Sequence, residues 1–136
     1  MANKNDVRWV RTDVFKNSVS LPVFVWEHVD KHAFDKIPAT EEHIYQTIVA
    51  PDHAHRSLDP FVLDEGCVFE KFFEPEQQRF LVPVLYDGII VPEEYEKGGK
   101  KGRVLTGYFP GKQNNSRTVG EIFWSNPALL KDKGSK

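Results

Sequence analysis

The sequence predicts an α+β fold in which two N-terminal helices pack on an antiparallel sheet of about four strands. Two observations support this class. Apolar residues recur with a helical period between Pro22 and Pro51, and after Pro51 the apolar period changes to two. Turn signals, among them Glu-Pro-Glu at 74–76 and Asp-Gly at 87–88, separate the later apolar runs. Helices followed by a run of strands are typical of an α+β domain.

Each helix has its own start signal. Proline suits the first position of a helix, and the apolar spacing that follows predicts a short amphipathic helix over Pro22–Ala33. Thr40 is a good N-cap, and two glutamates follow it in the first turn of a second helix. Pro51 ends that second helix.

Four strands are predicted from the period of two. They are Cys67–Phe73, Arg79–Tyr86, Arg103–Phe109 and Glu121–Trp124. Pro83 lies inside the second of them and has no N–H to donate, so we expect a sheet edge or a bulge at that position.

Composition fits one globular domain. The chain has 136 residues, of which 40% are hydrophobic and 28% charged, and these are globular values. We expect an irregular extension over residues 1–18, one folded domain over residues 19–124 and a basic tail over residues 125–136. No apolar run is long enough to span a membrane, and the start lacks the apolar region of a signal peptide. With its single cysteine, the chain is expected to be cytoplasmic.

The charges are segregated along the chain. The net charge is −2, but residues 61–96 carry −7 and residues 97–136 carry +7. The two blocks could neutralise each other in the fold, or the basic block could form a localised face that binds phosphate. In the second case the expected substrate-binding residues are Lys100, Lys101, Arg103, Lys112 and Arg117.

All five histidines lie between positions 28 and 55. His28 and His32 are one helical turn apart, so both rings can face the same point. With His53 and His55 they could form a metal site, and the alternative is that they are solvated or capping side chains. The HxxxH spacing alone is unspecific, and the favoured interpretation needs neither a metal nor a cofactor.

A second group of polar residues lies in or just before the predicted sheet. Arg56 precedes it, Lys71 interrupts an apolar run, and Thr106 lies in a strand next to a glycine. On periodicity alone Lys71 and Thr106 could simply face solvent. With His28 or His32, however, these residues supply what metal-free phosphodiester cleavage requires: an acid, a base, a cation for the phosphorane and an orienting hydroxyl.

The order of the motifs WEHVDKH, HIYQTIVAPD, RS, an apolar strand with a lysine, and VLTGYF resembles the phage-associated barnase–EndoU–colicin–RelE-like nuclease domains. The resemblance covers roughly Val19 to Trp124. It implies N-terminal helices on an antiparallel sheet and the activity of a small metal-independent ribonuclease. It also implies that His28 and His32 match the family's helix motif and that Thr106 matches its late strand, and it places Arg56 and Lys71 in the active groove.

The resemblance implies an endoribonuclease of phage, prophage or toxin type that cuts RNA by attack of the 2′-hydroxyl group. RNA would be its substrate, and an antitoxin, immunity protein or phage protein its further partner. The alternative is a catalytically inactive protein-binding module on the same scaffold, which the near-neutral net charge and the long charged hairpins favour. The sequence leaves the oligomeric state open.

Overall fold

The computed structural model describes residues 6–31, 39–90, 94–110 and 119–128. Within these ranges the chain forms seven strands and two α-helices. The strands are β1 (Val7–Thr12), β2 (Ser18–Pro22), β3 (His53–Ser57), β4 (Gly66–Phe73), β5 (Gln78–Tyr86), β6 (Lys101–Val104) and β7 (Val119–Ser125). The helices are α1 (Val23–Lys31) and α2 (Glu41–Val49), and short 3-10 turns cover Leu63–Glu65 and Glu94–Lys97.

The seven strands form one mixed sheet in the order β1-β2-β6-β5-β4-β3-β7. Within the described ranges β2 and β6 run parallel, and the other neighbouring strands are antiparallel. The predicted arrangement of two helices on an antiparallel sheet of about four strands is therefore wrong. The sheet has nearly twice that number of strands, it is mixed, and two of its strands precede the first helix.

The helix signals of the sequence are confirmed. α1 begins directly after Pro22, and α2 begins after Thr40, whose side chain accepts a hydrogen bond from the N–H of His43. The ring of His43 in turn accepts the N–H of Thr40 at 3.0 Å, which completes a capping box. The buried stripe of α2 consists of Ile44, Thr47 and Ile48.

The three strands absent from the prediction lack a clear apolar alternation. β1 is an exposed strand at the end of the sheet with two arginines, so its period is hidden, and the prediction of an irregular segment there is wrong. β2 is short and runs into α1. The sequence of β3 is HAHRS, in which Ala54 is the one apolar residue. Ala54 is fully buried, but a single small residue gives no period to detect.

β6 is interrupted opposite Pro83. Leu105 donates its N–H to the carbonyl of Pro83, but Pro83 has no N–H with which to form the reciprocal hydrogen bond. The pairing of the two segments resumes between Leu81 and Tyr108, shifted by one residue in register. The bulge expected at Pro83 is thus confirmed, although it lies in the neighbouring strand. The predicted strand Arg103–Phe109 is correspondingly shorter, and Thr106 lies in the bulge.

The two faces of the sheet differ. The covered face carries Phe69, Phe80 and Val82, which are fully buried, and α2 packs on it. Gly107 lies tightly against these core side chains, since a Cβ at residue 107 would lie 3.0 Å from both Ile44 and Phe80. Core side chains therefore fill the space beside Gly107 and leave no room there for a ligand to approach the backbone.

The β1–β2 turn connects the two ends of the sheet. Phe15 in this turn contacts Phe69 of β4 and Trp124 of β7, with ring centroids 5.7 and 5.4 Å apart. Asp13 fixes the turn by accepting hydrogen bonds from the N–H groups of Phe15 and Asn17 at 2.8 and 2.9 Å. The sheet therefore curves enough for its first turn to reach its last strand.

Candidate active site

The two sequence-predicted cations of the sheet do not meet at a site. By register Arg56 and Lys71 share the covered face with Phe69. The ammonium group of Lys71 donates to the carbonyl of Ala50 at 2.9 Å. The guanidinium of Arg56 lies 3.1 Å from Asp64 and 3.6 Å from Glu121. Both cations thus hold local structure at separate places.

The side chains of four further candidate site residues are not described by the structure. His28 belongs to α1, but its side chain is not among those described. His32, Lys112 and Arg117 lie outside the described residues altogether. Their predicted roles stay predictions.

The polar face of the sheet carries a cluster of titratable side chains that we call the polar-face cluster: His53, His55, Glu70 and Arg79. The Nε2 atom of His55 lies 2.7 Å from Oε1 of Glu70, and Nη1 of Arg79 lies 3.3 Å from the same oxygen. His53 lies on the same strand and the same face, with its ring 6.4 Å from that of His55. Two cationic donors therefore converge on one carboxylate oxygen, and Oε2 takes part in neither contact.

Both ring nitrogens of His55 lie at hydrogen-bond distance from a neighbouring group. Nδ1 lies 3.0 Å from the carbonyl oxygen of Gly120, and Nε2 lies 2.7 Å from Oε1 of Glu70. The ring is therefore held at both nitrogens beside the carboxyl group of Glu70.

The same contacts act on the pKa of Glu70. Burial by itself would raise the pKa, but the hydrogen bond from His55 and the charges of His55, Arg79 and His53 together hold the pKa of Glu70 below its ordinary value of 4.5. Glu70 is therefore a carboxylate at neutral pH.

This shift predicts how the pair stabilises the fold. Because the folded-state pKa of Glu70 lies below its unfolded value, its contribution to the free energy of unfolding is fully present above pH 4.5 and is lost as the pH falls through the folded-state pKa. Denaturant unfolding of the wild type and of Glu70→Gln at a series of pH values should show a difference that shrinks below pH 4.5. A difference that grows toward acid pH would contradict the assignment.

A cavity adjoins the polar-face cluster. It has a volume of about 160 Å³, and its lining includes Ser57, Asp59, Val62, Pro83, Thr106 and Tyr108. Across neighbouring strands, Pro83 pairs with Val68, and Val68 pairs with His55. In the next row, Tyr108 pairs with Leu81, and Leu81 pairs with Glu70. The cavity and the cluster are thus on neighbouring strands, and among the described residues Thr106 is the one sequence-predicted catalytic residue that lines the cavity.

Two of the expected substrate-binding cations share this face. Lys101 and Arg103 alternate along β6 on the same side as Leu85, and both are exposed. Lys100 lies just before the strand, and its ammonium donates to the carbonyl of Glu94 at 3.3 Å. Together with Arg79, Lys101 and Arg103 give the polar face three positively charged side chains among the described residues.

Cys67, in contrast, has no chemical role here. It is fully buried on the covered face beside Asp13 and Tyr86, and burial raises the pKa of its thiol well above the usual value. A thiol of this kind is a packed side chain.

Among the described residues no group of three or more His, Cys, Asp or Glu side chains has the arrangement of a metal site. In the same part of the chain no helix is long and apolar enough to cross a membrane.

The cluster consists of residues that the sequence analysis did not assign to catalysis. Glu70 and Arg79 were not singled out, and His53 and His55 were considered only as metal ligands. Comparison with known proteins adds no assignment, since no family model matches the chain and no curated protein or solved structure is significantly similar to it.

Proposed function

We propose that the protein is a metal-independent endoribonuclease whose active site is the polar-face cluster. The observation that carries the proposal is the contact of His55 with Glu70, at 2.7 Å, beside Arg79 and near a cavity whose lining includes Ser57, Thr106 and Tyr108. A carboxylate in contact with a histidine brings together a base and a group that can donate a proton. The resemblance stated from the sequence led to an expectation of the same activity, although with other residues.

In this proposal Oε2 of Glu70 takes the proton of the 2′-hydroxyl group. The 2′-oxygen then bonds to phosphorus, the bond from phosphorus to the 5′-oxygen breaks, and the leaving oxygen takes a proton from Nε2 of His55. The products are a 2′,3′-cyclic phosphate and a 5′-hydroxyl group. Glu70 then releases the proton on Oε2 to water, and Nε2 of His55 takes a proton from water, which restores the starting state of the pair.

The cations and hydroxyl groups complete the proposed mechanism. The guanidinium of Arg79 stabilises the additional negative charge of the phosphorane, since it lies beside Oε1 of Glu70, the oxygen that also contacts His55. Lys101 and Arg103 bind flanking phosphates along β6. Thr106, in the cavity, donates to a phosphate oxygen, the role that the sequence analysis expected of it.

The test is incubation of the purified protein with mixed-sequence RNA in excess EDTA. We expect cleavage that leaves 2′,3′-cyclic phosphate ends, and we expect His55→Gln to be slower by about 10²-fold or more. Lys71→Gln is the matched control because Lys71 is the neighbour of Glu70 in β4 but faces the covered side. Uncut RNA, or equal rates for His55→Gln and the wild type, would overturn the proposal.

The cellular setting stays a prediction. A toxin or phage role and a cytoplasmic location were expected from the sequence, and they belong to this proposal as its biological context.

A further inference from the structure

A second feature of the molecule lies in the β3–β4 loop, next to the cavity. Phe61 at its tip is 92% exposed, and Leu58 and Leu63 are each about half exposed. Ile89, also about half exposed, lies close by because the N–H of Ile90 donates to the carbonyl of Asp64 at 2.8 Å. We call these four side chains the loop patch. Single exposed apolar residues are common, but a group of this size calls for an explanation.

The loop that carries the patch is held in one conformation. The carboxylate of Asp59 accepts the N–H of Phe61 at 3.0 Å, and its carbonyl accepts the N–H groups of Val62 and Leu63 at 2.9 Å. Val62 is buried in the space that Gly66 leaves open, since a Cβ at residue 66 would lie 2.1 Å from Val62 Cγ1. A partner therefore meets apolar side chains that are already ordered, which lowers the entropic cost of binding.

Leu63 has a backbone conformation that leucine rarely adopts. Its φ is 42°, in the left-handed region that favours glycine and asparagine. Because its side chain is exposed, Leu63 gains little from burial in compensation. Strain of this kind persists where a side chain is needed for something other than folding.

The charge around the patch decides among possible occupants. The loop carries Asp59, Asp64 and Glu65, and residues 57–66 contain no lysine or arginine. The nearby Arg56 is already paired with Asp64 and Glu121. Asp64 and Glu65, the exposed acidic residues beside the patch and outside the cavity lining, repel RNA phosphates from the patch, and they also repel the same patch of a second copy.

We propose that the loop patch is the docking surface for a protein that presents apolar side chains within a ring of lysine and arginine residues. The patch anchors the partner's apolar side chains, and the exposed carboxylate of Glu65 faces its basic ring. Asp59 and Val62 belong both to this loop and to the lining of the cavity, so the docked partner would also lie over the cavity. By covering the cavity, the docked partner would inhibit RNA cleavage, and this consequence rests on the proposed function.

The test uses a displayed library of random 12-residue peptides, selected on the wild-type protein and counter-selected on Phe61→Ser. We expect enriched peptides that combine aromatic or aliphatic residues with a net positive charge. A synthetic peptide of the enriched sequence, measured by fluorescence anisotropy, should bind Phe61→Ser about tenfold more weakly or worse and Glu65→Lys several-fold more weakly. Phe24→Ser is the control because Phe24 is also an exposed phenylalanine, 55% exposed, but lies on α1.

Leu63→Asn separates docking from folding. We expect it to weaken peptide binding while leaving the thermal midpoint unchanged or raised, because asparagine accepts the left-handed backbone. A lowered midpoint would assign Leu63 to folding and contradict the argument from strain.

Several results would overturn the docking proposal. They are no enrichment, enriched peptides with a net negative charge, and equal binding of the enriched peptide to Phe61→Ser. A loss of affinity of Phe61→Ser for a single-stranded RNA oligonucleotide would make the patch an RNA surface, and a dimer in sedimentation that Phe61→Ser abolishes would make it a self-association surface. Because peptide binding is measured without RNA, its outcome is independent of whether the protein cleaves RNA.

Discussion

Glu70→Gln is expected to slow RNA cleavage by about 10²- to 10⁴-fold, the usual contribution of a general base. Glutamine keeps the shape of the side chain and an acceptor for the N–H of His55, but it cannot take the proton of the 2′-hydroxyl group. The effect should therefore appear in kcat, with KM nearly unchanged, in a single-substrate assay in EDTA. The variant should also keep the circular dichroism spectrum of the wild type.

Glu121→Gln is the matched control for this prediction. Glu121 is likewise a glutamate that faces an arginine, at 3.6 Å from Arg56, but it is 74% exposed on β7. Its replacement should change the rate by less than about threefold, because exposed ion pairs contribute little. Equal losses in Glu70→Gln and Glu121→Gln would show that a general change of charge, and not the polar-face cluster, controls cleavage.

Asp13→Ala is expected to lower the free energy of unfolding by about 3–5 kcal/mol, because it leaves several buried donors without an acceptor. Asp13 is 4% exposed and accepts hydrogen bonds from the N–H groups of Phe15 and Asn17, from the side chain of Asn17 and from the hydroxyl of Tyr86. Burial raises the pKa of Asp13 although these hydrogen bonds act in the opposite direction.

Chemical denaturation measures this effect. Tyr86→Phe removes one of the donors and leaves the acceptor in place, so we expect a smaller loss of about 1–2 kcal/mol. Asp64→Ala, which removes a half-exposed aspartate of the surface, should change the free energy of unfolding by less than about 0.5 kcal/mol. If Asp13→Ala were as stable as Asp64→Ala, the β1–β2 turn would not depend on Asp13.

The parts of the fold that the sequence predicted are those with strong local signals. α1 follows a proline, α2 has a threonine N-cap, and each helix has an apolar stripe, while β4 and β5 have long apolar runs with a turn between them. β3 was missed because its pairing depends on two neighbours that are distant in the sequence, β4 and β7. The parallel pairing of β2 with β6 is equally non-local.

The site was harder to predict for a specific reason. The start of β4 is apolar on both faces, with Cys67, Val68 and Phe69 all fully buried, so its alternation does not tell which face is covered. Lys71 was therefore selected as the polar residue of that strand, although its neighbour Glu70 faces the histidines. One local signal was present. The turn after Phe73 sets the register of the hairpin, which puts Glu70 and Arg79 on the same face.

Cleavage of a DNA oligonucleotide that contains one ribonucleotide, in EDTA, tests the central claim most directly. The 2′-hydroxyl group is then present at a single position, and mass spectrometry identifies both ends of the cut. We expect the wild type to cut only on the 3′ side of the ribonucleotide, to leave a 2′,3′-cyclic phosphate there, and to lose this activity in Glu70→Gln. An uncut oligonucleotide, or cutting at the wild-type rate by Glu70→Gln, would contradict the assignment of the polar-face cluster as a ribonuclease site.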